Sequence, residues 1–256
     1  MTELMRDHLR VVGLPGRVEM GRAAADHVAG RLRSLLASQP RVRAIFAAAA
    51  SQEEFLTALG QADDIDWSRV EAFHLDEYVG LPLGDPRSFG NWLDGHIFSR
   101  VDPGRVELMN GGAPDPSAEC ARYSALLTDG GLDLALIGVG ENGHLAFNDP
   151  PADFGAEAPY LVVTLDDRCR RQQVGEGWFA RIENVPAAAI SMSIRQILAA
   201  RSIVCVVPDQ RKAEAVRASI EGPIDPMTPA SILRTHPDVT IYLDRASASL
   251  LERRRE

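Results

Sequence analysis

The chain has 256 residues, 45% apolar and 25% charged, enough to bury a large core in one α/β domain. Acids outnumber bases 36 to 27, and the net charge of -9 argues against nonspecific nucleic-acid binding and against an anionic membrane surface, which both need a basic footprint. Cys120, Cys169 and Cys205 stand far apart with no C-x-x-C pair, which argues against a disulfide framework or a thiolate zinc site and suits a reducing cytoplasm.

The opening "MTELMRDHLRVVGLPGR" is charged and broken by Gly13, Pro15 and Gly16, so it predicts no secretory signal. No run approaches the roughly 20 apolar residues that span a bilayer. Residues 19–37 carry apolar side chains at helical spacing. "VRAIFAAAA" suits a buried strand, and "SQEEFLTALG" a helix capped by Ser51. "RVEAFHL" is the next strand, and "PRSFGNWLDGHIFSRV" and "DPSAECARYSALLTDG" read as helices. "LDLALIGVG" is a short apolar strand ended by glycines, and "APYLVVTL" and "SIVCVVP" are two more. "DQRKAEAVRASIEG" reads as a helix, "DVTIYLD" as a late strand and "ASASLLERRRE" as a final helix. Strands alternating with helices predict a Rossmann-like, open, mostly parallel sheet with helices on both faces, in a single domain spanning 1–256. Ligands of such sheets bind beyond the carboxyl ends of the strands, so the residues there matter most.

In "HLDEYVGLP", Asp76 and Glu77 follow a strand directly. A carboxylate in a partly desolvated cleft is a candidate base, and the alternative is that Asp76 only caps the turn before Gly80. "GVGENGHLAFNDP" sets His144 between Glu141 and Asp149, either of which can orient the imidazole; the alternative is a surface histidine in a glycine-rich turn. Gly138, Gly140 and Gly143 spell G-x-G-x-x-G, but "HLAFNDPP" offers no following helix, so a dinucleotide site lacks its context. Lys212, at a helix start after a strand, suits an anion. Arg168, Arg170 and Arg171 either clamp a phosphate or face water.

Together, "HLDEYVGLP", "GVGENGHLAFNDP" and "RKAEAVRASIEG…PASILRTHP" resemble the glucosamine-6-phosphate deaminases, within the glucosamine/galactosamine-6-phosphate isomerase and 6-phosphogluconolactonase superfamily, over residues 15–250. The resemblance implies that Asp76 moves a proton between C2 and C1 of the open-chain sugar. It implies that His144 opens the ring with support from Asn142 and Asp149, and that Lys212 binds phosphate. Ala50, Ser51, Gln52, Glu77 and Gly143 are further substrate-binding candidates. A lid around 151–183 is expected. An arginine of that lid falls at Gln173, so Arg171 or Arg170 is the expected substitute. Where relatives often carry Asp and Glu, this chain carries Asn142 and Asp149; an amide orients but is no base. Where they carry a glycine turn, it reads "AAAASQEE". Allosteric amino-sugar phosphate residues are not recognisable in "PPADFGAEAPYL", which predicts no regulation by that route.

The implied reaction turns glucosamine 6-phosphate and water into fructose 6-phosphate and ammonia, in the cytoplasm, with no metal and no organic cofactor. A sugar-phosphate lactonase and a noncatalytic sugar-phosphate sensor are the alternatives. The lactonase branch reads "DGHTASLFP" where this chain reads "NGHLAFNDP". The partner is a small amino-sugar phosphate; the epimer, and whether the chain forms a homo-oligomer, are left open by the sequence.

Overall fold

The computed structural model describes residues 2–127 and 130–252. Its strands are β1 (Thr2–Arg6), β2 (Leu9–Leu14), β3 (Val42–Phe46), β4 (Val70–His74), β5 (Asp76–Tyr78), β6 (Arg105–Glu107), β7 (Leu134–Ile137), β8 (Tyr160–Thr164), β9 (Ala188–Met192), β10 (Ser202–Val207) and β11 (Val239–Asp244). The helices are α1 (Arg17–Ser38), α2 (Glu53–Leu59), α3 (Phe89–Leu93), α4 (Ser99–Val101), α5 (Pro116–Ala125), α6 (Asp167–Gly175), α7 (Ile194–Leu198) and α8 (Ala213–Glu221).

The main sheet runs β1-β2-β11-β10-β7-β3-β4-β6. Every pairing from β2 to β6 is parallel, and β1 alone is antiparallel, folded back on β2 as a hairpin. Strand side chains alternate between faces, so β7 sends Leu134 and Leu136 to one apolar layer and Ala135 and Ile137 to the other. Burial on both faces is why these strands read as continuous apolar runs. α1 covers the first layer with Met20, Ala24, Val28 and Leu32, spaced four apart and all buried. α5 begins on Asp115, whose carboxylate accepts from the N–H groups of Ser117 and Ala118, with Pro116 just inside the helix.

Strand order reverses between β3 and β7. One half of the chain builds outward through β4 and β6, the other through β10 and β11. Loops leaving β3 and β7 therefore part in opposite directions and open a crevice at their carboxyl ends.

Several local expectations are corrected. The charged opening segment forms β1 and β2, because β2 finds a parallel partner in β11. "APYLVVTL" supplies β8, but β8 belongs to a separate antiparallel sheet, β5-β9-β8. Ser51 does not cap α2; a 3-10 turn, Ala50–Gln52, precedes the helix and Arg17 Nη2 donates to the Ala50 carbonyl at 3.0 Å. The helix expected over "PRSFGNWLDGHIFSRV" starts at Phe89 on a Ser88 cap and passes through a π turn, Asp94–Phe98, into α4. The final helix is not formed over residues 246–251, which are turns, and 253–256 lie outside the described residues.

Candidate active site

The crevice is a cleft lined by Ala48, Ala49, Ser51 and Gln52 after β3, Asp76 after β4, Gly138, Gly140 and His144 after β7, and Lys212 after β10. The far wall comes from Phe89, Phe147 and three residues of the α6 region, Gln172, Gln173 and Glu176. Four strand exits and one covering helix thus converge on one space.

Asp76 sits where the chain leaves the main sheet. Leu75 N–H still donates to Phe46 O at 3.0 Å, and β5 then pairs with β9 in the second sheet. Adjacent strand residues point to opposite faces. Asp76 therefore faces the cleft while Glu77 turns away. Burial, and then the charge of Glu77, push the Asp76 carboxyl well above the usual carboxylate range. Glu77, a candidate substrate ligand in the sequence, does not line the cleft. Its carboxylate accepts the N–H groups of Tyr78, Phe89 and Gly90, which ties the start of α3 to β5. Burial pushes its pKa up to about 7 against those three hydrogen bonds.

His144 is held from behind. Its Nδ1 lies 3.0 Å from Asp149 Oδ1, leaving Nε2 toward the cleft. Asn142 Nδ2 donates to the same Asp149 oxygen at 2.9 Å, and Asn142 Oδ1 accepts His144 N–H at 3.1 Å. Burial raises the Asp149 pKa, but the hydrogen bond and charge of His144, with Asn142 and the Asp166 N–H, outweigh it and hold the carboxyl below its ordinary value. Gly143 takes φ +86°, the left-handed region that suits glycine, and lets the turn reverse. It shapes the loop and does not line the cleft. At Gly140 the loop passes so close to His144 that any Cβ would overlap the imidazole. No helix follows the glycines; 141–148 are turns and a bridge, which removes the dinucleotide reading. Glu141 does not orient His144. Its carboxylate lies 3.3 Å from Arg211.

Lys212 Nζ enters the cleft almost fully buried, 3.6 Å from Glu176 Oε1. Burial lowers its pKa, and Glu176 and Glu141 oppose that. Glu176 Oε1 also accepts Gln172 Nε2 at 2.8 Å, one helical turn away. Arg171 lies outside the cleft: its side chain is 70% exposed, 3.6 Å from Asp167. Arg170 is spent on the carbonyls of Ile182 and Val185, and Arg168 on that of Glu141. Ala50 stands behind the lining residues Ala49 and Ser51, and Gln52 Nε2 donates to Val206 O at 3.1 Å.

The donor atoms of His144, Asp149 and Cys169 lie within 4.8 Å of one another, a spacing open to a metal ion. His144 Nδ1 and Asp149 Oδ1 already share a 3.0 Å contact, and Asp149 also accepts Asn142 Nδ2 and the Asp166 N–H. Burial, then the charges of Asp149 and Asp166, push the Cys169 thiol up.

The structure thus brings Asp76, His144, Ser51, Gln52 and Lys212 together, with Asn142 and Asp149 behind the histidine. The sequence reading did not pick out Gln172, Glu176 or Asp166. Their signal was a helix: an N-cap aspartate at 166, then Gln172 and Glu176 four apart on one face.

The family model described as glucosamine-6-phosphate isomerases/6-phosphogluconolactonase matches residues 15–242. A glucosamine-6-phosphate deaminase from Listeria welshimeri is 39% identical over 204 residues, 80% of this chain and 86% of that protein. One from Exiguobacterium sibiricum is 40% identical over 189 residues, 74% of this chain and 73% of that protein. The solved structure of a monomeric glucosamine-6-phosphate deaminase matches with TM-score 0.87 and 33% identity, covering 94% of this chain and 99% of that one. A 6-phosphogluconolactonase from Thermotoga maritima, at 15% identity and TM-score 0.74 over 91% of this chain and 98% of that one, shares the fold.

Proposed function

The chain belongs to the glucosamine-6-phosphate isomerase/6-phosphogluconolactonase family, and from that premise we propose that it is a glucosamine-6-phosphate deaminase. Glucosamine 6-phosphate plus water gives fructose 6-phosphate plus ammonia. The carrying observation is that a buried carboxylate, Asp76, and a relayed imidazole, His144, share one cleft with the cation of Lys212.

The roles follow from the chemistry each group can do. His144, backed by Asp149, exchanges protons with the ring oxygen and the C1 hydroxyl to open the pyranose. Asp76 takes the proton from C2 and returns it to C1; its raised pKa brings it toward the operating range of a general base. The imine left at C2 then takes up water and releases ammonia. Lys212 binds the phosphate, with the Ala50 and Ser51 N–H groups and the Ser51 hydroxyl beside it. The segment 151–183, which contains β8 and α6, acts as the lid. Three buried free cysteines fit a cytoplasmic setting, and among the described residues no helix is long and apolar enough to cross a membrane.

A lactonase hydrolyses an ester and needs no base at C2, so Asp76 separates the readings. Incubation with glucosamine 6-phosphate should release ammonia and fructose 6-phosphate together. Lactone hydrolysis without ammonia would sink the proposal. Binding without turnover of either compound would make the chain a sensor.

A further inference from the structure

Asp166 lies outside the cleft, yet three of its atoms are committed around the relay. Its N–H donates to Asp149 Oδ2 at 3.1 Å. Its Oδ1 accepts the Cys169 N–H at 2.6 Å and caps α6. Its Oδ2 lies 3.4 Å from Asn142 Nδ2. The Asn142 amide is therefore oriented on every side. Its oxygen takes His144 N–H, and its two N–H bonds point at two carboxylates, Asp149 and Asp166. The reversed amide would put its oxygen against both carboxylates.

The charge count explains the amide. An acid at 142 would put three carboxylates in one partly buried cluster. With Asp166 present, position 142 must donate. Asp149, one methylene shorter than glutamate, is in turn steadied by the Asp166 backbone and by Cys169 beside it.

We propose that Asp166 is a positioning residue of this site, orienting Asn142 with its carboxylate and Asp149 with its N–H, and so tying the helix α6 to His144. The inference rests on the deaminase reading for its kinetic test, but not for its spectroscopic one. α6 also carries Gln172 and leads into Glu176, which reach the cleft. Its first turn therefore steadies the imidazole while its far end meets Lys212.

The test uses Asp166→Ser, which keeps a helix cap and the backbone N–H but removes the carboxylate. Ammonia release should fall roughly tenfold or more in kcat with KM within about twofold. A pure capping role predicts no such split, and kcat within twofold of the wild type would overturn the proposal. Asn142→Asp alone should slow turnover, and adding Asp166→Asn should restore part of it. If the double variant is no faster than Asn142→Asp, the pairing is wrong. Should the wild type release no ammonia, the deaminase reading fails by itself. The His144 Nδ1–H proton resonance then decides: a shift in Asp166→Ser supports the positioning role, and an unmoved resonance refutes it.

Discussion

His144 Nδ1 stands 3.0 Å from Asp149 Oδ1, so one nitrogen of the ring is anchored and the other faces the cleft. The contact fixes the tautomer that can work. Asp149→Asn can present a donor where an acceptor is needed and should cost on the order of 10²–10⁴ in kcat, with KM little changed. Steady-state ammonia release checks it. A raised KM at constant kcat would make the pair a binding device.

Gly140 offers a steric route to the same conclusion. Gly140→Ala places a methyl group into the His144 ring, which must rotate off Asp149. Activity should collapse while circular dichroism stays native. Retained activity would mean that the imidazole need not sit where it does.

Lys212 and Glu176 form a nearly buried pair at the expected phosphate end. On the proposed reading, a phosphate bound by Lys212 would displace the Glu176 carboxylate from the ammonium. Glu176→Gln should lower KM for the sugar phosphate by roughly tenfold, worth about 1.4 kcal/mol. The empty variant should also melt lower, since a buried charge loses its partner, and phosphate should stabilise it more than the wild type. Lys212→Met should raise KM. A raised KM in Glu176→Gln would mean that Glu176 contacts substrate directly.

Glu77 predicts a pH signature. Its pKa moves from 4.5 to about 7 on folding. The folded state then holds the proton more tightly, so its contribution is complete below about pH 4.5 and is lost as pH rises through about 7. The slope is at most about 1.4 kcal/mol per pH unit. Urea midpoints across that window should fall in the wild type relative to Glu77→Gln. Parallel curves for the two proteins would contradict the assignment.

Much of this was legible in the sequence, for reasons of range. Runs such as "LDLALIGVG" are buried on both faces and declare themselves as strands. Asp76, His144 and Lys212 are placed by strand exits, so the fold class alone brings them together. Glu77 falls outside the cleft because strand alternation sends it behind to α3. Arg171 has the sign that suits a phosphate, but its place on α6 faces water. Asp166 and Glu176 escaped because their partners, Asn142 and Lys212, lie far along the chain, and only the packed α6 region brings them close. The β5-β9-β8 sheet was missed because its strands are short and pair across long loops.

On the proposed reading, Asp76 is the C2 base of a deaminase. The most direct measurement is ammonia and fructose 6-phosphate formed from glucosamine 6-phosphate by the wild type and Asp76→Asn. The wild type should form the two products in equal amounts, and Asp76→Asn should lose on the order of 10²–10⁴ in kcat while still binding substrate. Ammonia release that survives Asp76→Asn, or a wild type that hydrolyses the lactone and frees no ammonia, would contradict it.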